Sequence, residues 1–183
     1  MRNPTFQNSS RTALGGIVAA LSITLMLLTT VIPVLSYALP AMAGVLLILI
    51  VIEVDKKWAF GVFAAVSILS ILILPDKEAA LMYVFFFGHY PIVKAIIEKR
   101  FHGFILWLLK FLIFNACVVL AYLAVIYIFQ LPFEELEEYG QWAVWGLLGL
   151  GNLVFIPYDI ALSKLVALYL YNLRKPLRKL FRF

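Results

Sequence analysis

Six apolar stretches, at residues 12–35, 37–54, 58–75, 79–98, 102–130 and 141–172, fill this chain and leave almost nothing for a water-soluble domain. A span needs about 20 apolar residues, at 1.5 Å rise each, to cover a hydrocarbon core of roughly 30 Å. With no water to bind backbone N–H and C=O groups, those groups must pair within the segment, so the stretches are expected to be helices and not strands. The expected fold is an all-α integral membrane bundle of six transmembrane helices. It divides into a polar segment at 1–11, a transmembrane domain at 12–172 and a basic tail at 173–183. Any activity must then be carried by intramembrane side chains, short loops or partner proteins.

The apolar fraction of 64% lies far above the ~45–50% of soluble domains. A net charge of +5 raises the question of nucleic acid, but the placement of the charge argues against it. Eleven of the fifteen Lys and Arg residues fall at the N-terminus (Arg2, Arg11), the second loop (Lys56, Lys57), the fourth loop (Lys99, Arg100) and the tail (Arg174, Lys175, Arg178, Lys179, Arg182). All four places lie on one side of a six-span protein. The opposite side has Lys77 alone, and its longest loop carries Glu134, Glu135, Glu137 and Glu138. The positive-inside bias therefore places both termini in the cytoplasm, with the chain in the cell membrane. Cys117, the lone cysteine, excludes a disulfide framework or a thiol metal site. The ALPAMAG segment resembles a signal-peptide cleavage site, but the apolar run after Arg11 exceeds the 7–15 residues of a secretory core, so an uncleaved helix is expected.

The first span opens with Gly15, Gly16, Ala19 and Ala20. The Gly15/Ala19 and Gly16/Ala20 pairs, spaced i,i+4, make a smooth face that another helix can approach closely. That face serves either packing within the bundle or docking of another subunit. The fifth and sixth spans look too long for perpendicular crossing, so they should tilt or project.

Four ionisable residues are read as intramembrane charges: Lys94, Lys110, Asp159 and Lys164. Each costs at least about 2.5–3.5 kcal/mol at mid-helix, which makes an intramembrane charge a functional hypothesis. Counting the rise per residue puts all four at similar height in the inner half of the bilayer. Asp159, read as the only intramembrane acid, is the natural counter-ion for Lys110 or Lys94. The cluster either fixes how three helices fit together or binds an ion, a proton or an anionic group. In the fourth span Tyr83, Tyr90, Lys94 and Glu98 recur at spacings of seven, four and four, which predicts a shared face. Pro91 frees the carbonyl of Phe87 and Pro157 that of Leu153, predicting a kink in each helix.

Toward the outside, Tyr37, Tyr83, Tyr127, Tyr139, Trp142, Trp145 and Asn152 form either an aromatic pocket for a small flat ligand or an interfacial belt. Under the pocket reading, Tyr83→Ala should weaken ligand binding and spare stability. Motifs of hydrolases, metalloproteases and P-loop ATPases are missing, so neither enzyme activity, nor a cofactor, nor ATP binding by this chain is expected.

With its six spans, the small-residue start ALGGIVAALS and the second span YALPAMAGVLLILIV, the chain resembles the substrate-binding S components of energy-coupling factor (ECF) transporters. The resemblance implies capture of a small, vitamin-like micronutrient, driven by separate ATPase subunits and a coupling transmembrane subunit. It implies docking of that subunit on Gly15, Gly16, Ala19 and Ala20. It also implies a substrate site at Tyr83, Trp142, Trp145 and Asn152, outside the Lys94–Lys110–Asp159 cluster. The rival reading is a non-transporting membrane scaffold of similar shape, such as an MreD-like cell-shape protein. Its basic tail and inner charges would then recruit partners.

Overall fold

A computed structural model of the chain describes residues 4–127 and 141–173, and all of its regular structure is helical. The loop with the four glutamates and the basic tail fall outside the described residues. Helix α1 runs Pro4–Leu27 and is followed by two short 3₁₀ turns, Leu28–Thr30 and Pro33–Leu35. Then come α2 (Ala38–Glu53), α3 (Lys56–Ile73), α4 (Lys77–Met82), a π-helical turn (Tyr83–Phe87) and α5 (Tyr90–Arg100). The bundle closes with α6 (Gly103–Tyr127) and α7 (Gln141–Leu168), the latter ending in a second π turn at Tyr169–Leu173.

Among the described residues five helical segments are long and apolar enough to cross a membrane: Ser9–Thr30, Lys56–Ile73, Lys77–Arg100, Gly103–Ala121 and Leu148–Asn172. Helix α2 is apolar but has only 16 residues, about 24 Å of rise. The first helix also differs from its expected bounds. It begins at Pro4, so the polar segment set apart at 1–11 is helical from that residue on, and it ends at Leu27 and not at 35. Pro33 explains the early stop: Ile32 before it takes φ −127° and ψ 79°, outside the helical region that a following proline disfavours.

Neighbouring helices alternate in direction, and polar bonds pin both ends. At one end Ser36 Oγ donates to Asp76 Oδ2 at 3.0 Å, and the Tyr37 hydroxyl donates to Glu78. Asp76 also caps α4 by accepting from the Ala79 N–H. At the opposite, basic end, Lys56 Nζ donates to the Ala95 carbonyl at 3.0 Å, and the Tyr169 hydroxyl donates to Glu53. Asp55 caps α3 through the Trp58 N–H.

Two apolar clusters make the core. One, around Val18, Met26, Ala43, Leu47 and Val66, joins α1, α2 and α3. The other, around Phe86, Tyr90, Phe114, Phe155 and Leu162, joins the α4–α5 segment to α6 and α7, with Ile48 reaching in from α2. Helix α2 packs against α1, α3 and the α4–α5 segment, so it sits at the seam between them.

The fourth span is broken at this seam. Pro91 has no N–H to give the Phe87 carbonyl. That carbonyl lies over Gly44 of α2, where a Cβ would stand 2.0 Å from the oxygen. Only a glycine lets the two backbones meet so closely. Gly88 is constrained likewise: a Cβ there would fall 2.6 Å from the Phe63 ring and 2.8 Å from that of Tyr83. By contrast α7 continues through Pro157, which is exposed on the outer face with Leu153 and Val154, where no core packing stabilises a break.

Candidate functional site

Helix α5 presents Tyr90, Lys94 and Glu98 at successive i,i+4 positions, hence along one face. Lys110 of α6 and Asp159 of α7 meet that face. Lys94 Nζ lies 2.5 Å from Asp159 Oδ1 and 2.7 Å from Glu98 Oε1. Lys110 Nζ lies 2.6 Å from Asp159 Oδ2 and 2.6 Å from Glu98 Oε1. The four charges thus close a ring in which every neighbour has the opposite sign, with a net charge of zero. The Tyr90 hydroxyl adds a 2.7 Å bond to Asp159 Oδ1, and Lys94 also reaches the Asp159 carbonyl at 3.2 Å. Lys110 Nζ stands 5.1 Å from the centre of the Trp107 ring, within range of a cation–π attraction.

Neutrality lets this ring persist in an apolar interior. An isolated charge there loses its hydration with nothing in return. Here each ammonium touches two carboxylates, and the Asp159 side chain, 3% exposed, uses both oxygens. Such a ring adds little net stability over an apolar core but makes loss of any one member costly.

A second polar layer lies on the same two helices, seven residues before Asp159. The Asn115 and Asn152 side-chain amides exchange two hydrogen bonds, each 2.9 Å. Each side-chain amine also donates to a carbonyl one turn earlier, Asn115 to Phe111 and Asn152 to Leu148. Between the layers Phe114 stacks on Phe155 with ring centres 4.7 Å apart, and Phe86 packs edge-on against Phe114 at 5.1 Å. A third contact joins His89, at the helix break, to Cys117 of α6 at 3.4 Å.

The residues singled out from sequence distribute unevenly. Lys94, Lys110 and Asp159 come together, whereas Lys164 is exposed and stands apart from the ring. Asp159 is not the only acid of the group, because Glu98 supplies the second carboxylate. Tyr83 does not share the face of Tyr90: the intervening π turn rotates it into the first core cluster, fully buried beside Phe63. Its hydroxyl has no hydrogen-bond partner among the described residues. Asn152 is occupied by Asn115. Trp145 is 68% exposed on the bundle surface, and the side chain of Trp142 lies outside the described residues. Tyr37 is exposed and engaged with Glu78 at the start of α4. Tyr83, Asn152 and Trp145 therefore do not converge on one pocket.

The small residues of α1 also part company. Gly15 is buried, and a Cβ on it would meet Val62 at 3.2 Å, while Ala19 packs on the first core cluster. Gly16 and Ala20 are exposed, and a Cβ on Gly16 would meet nothing within 4 Å.

Sequence reasoning missed Asn115 and the ring role of Glu98. Glu98 carried a usable signal, since a Glu four residues after a Lys on a helix is within ion-pair reach. Asn115 carried only its polarity inside an apolar run. Neither a family model, nor a curated protein, nor a solved structure matches this chain, so its chemistry rests on its own residues.

Proposed function

We propose that this chain is the substrate-capturing membrane subunit of an importer for a small organic micronutrient, energised by separate ATPase and coupling subunits. On this reading it is a binding subunit and not an enzyme, lies in the cell membrane and keeps both termini in the cytoplasm. The observation that carries it is the division of labour on α1. Gly15 and Ala19 are spent on packing inside the bundle, while Gly16 and Ala20 leave a smooth exposed strip beside the exposed Ile17 and Leu21. Small residues on an exposed transmembrane face permit close approach by a helix of another subunit.

The test is purification of the tagged chain from its native membranes, with and without Gly16→Leu. A co-purifying complex with ATP hydrolysis, lost in Gly16→Leu while the chain stays folded, supports the reading. A chain that purifies without any ATPase in both forms defeats it.

One observation favours the scaffold reading instead. The outer-half residues Tyr83 and Asn152 are committed to packing and to Asn115, and Trp145 faces outward. Native mass spectrometry separates the two, since a capture subunit carries a small-molecule mass and a scaffold does not.

A further inference from the structure

Three corners of the charge ring are locked and the fourth is not. Lys94, Lys110 and Asp159 have side chains only 5%, 4% and 3% exposed, and Asp159 uses both oxygens. Glu98 is 36% exposed and offers a single oxygen, Oε1, to both lysines. Its Oε2 has no hydrogen-bond partner among the described residues. It stands two residues before the end of α5, so rotation of its side chain suffices to withdraw the carboxylate. Withdrawal leaves two buried ammoniums against one carboxylate, a net charge of +1 in an apolar interior. Such a charge demands a replacement anion.

We infer that the Lys94 and Lys110 ammoniums form a seat for the anionic oxygen of a ligand, a carboxylate or a phosphate, and that Glu98 is its resident stand-in. The seat is shaped for oxygen, since one Oε1 already bridges both nitrogens at 2.7 and 2.6 Å. A second oxygen of the ligand takes the outward place of Oε2. Trp107, partly exposed beside Lys110, supplies an aromatic wall at the mouth. Lys99 and Arg100, both exposed at the same end of α5, raise the local concentration of anions there. This inference stands apart from the importer reading, because it concerns the isolated chain.

The test is thermal unfolding of the full chain in an uncharged detergent at constant ionic strength, in chloride, acetate or phosphate. Glu98→Ala should unfold at lower temperature in chloride and recover saturably with acetate or phosphate. Wild type should respond to the same anions at about tenfold or higher concentration, because tethered Glu98 competes at a high effective concentration. Recovery of Glu98→Ala in phosphatidylcholine vesicles doped with phosphatidic acid, without soluble anion, assigns the seat to a lipid headgroup. Recovery with soluble anions alone assigns it to a free ligand. Should Glu98→Ala not fold, Glu98→Gln keeps the shape and takes the same titration. The proposal is overturned if the Glu98 variant is indifferent to every anion and to phosphatidic acid. It also fails if wild type never responds, or if recovery survives Lys110→Met in the Glu98 variant.

Discussion

Asp159 holds two lysines and a tyrosine hydroxyl, which makes it the residue whose loss the bundle should feel most. Asp159→Asn keeps the shape but leaves the ring with an unbalanced buried charge, so a loss of ~3–5 kcal/mol is expected from removing one partner of a buried pair. Thermal unfolding in detergent measures it. Tyr83 gives the opposite lesson. Its hydroxyl is buried without a partner among the described residues, a state that costs ~1–3 kcal/mol, so Tyr83→Phe should raise the unfolding temperature. Tyr83→Ala, expected from sequence to spare stability, should instead cost ~3–5 kcal/mol, because a buried ring leaves a cavity. For the amide pair, a double-mutant cycle on Asn115→Leu and Asn152→Leu should show a coupling between about 0.6 kcal/mol, the mean for hydrogen bonds between membrane helices, and about 1.7 kcal/mol, their upper limit.

At the scale of elements, the break between α4 and α5 is held by α2 more than by its own proline. Of the five membrane-length helical segments two contain a proline, Pro91 and Pro157, and only Pro91 accompanies a break. The difference lies in the neighbours: the Phe87 carbonyl meets Gly44, and the Phe63 and Tyr83 rings close over Gly88. Gly44→Ala should therefore destabilise by the upper end of ~1–3 kcal/mol or more, since the clashing atom is backbone and cannot rotate away. Pro91→Ala restores an N–H but leaves that packing in place, so the break should persist. Unfolding midpoints of the two variants, compared in one detergent, check the order: Gly44→Ala well below Pro91→Ala.

For the whole molecule, polar bonds at both ends fix the alternation of helices, and orientation in the membrane is the remaining choice. The charge bias predicts that Lys57→Cys is shielded from an impermeant thiol reagent in intact cells and Lys77→Cys is labelled; buried Cys117 adds no background. The reverse pattern would invert the protein and move the anion seat to the outside. Much of this architecture was legible in the residues alone. Lipid as the solvent, the helical class, the approximate spans and the candidacy of Asp159 as partner to two lysines follow from apolar run length and the cost of buried charge. What the sequence left open is which face of each helix looks inward. Core and lipid are equally apolar, so an apolar helix such as α2 carries no periodic signal separating buried Ala43 from exposed Met42. Tertiary packing alone decided that Gly15 turns in while Gly16 turns out, that Tyr83 leaves the face of Tyr90, and that Asn115 meets Asn152. Those choices depend on shape complementarity between helices far apart in the chain, and that complementarity is not written in any one segment.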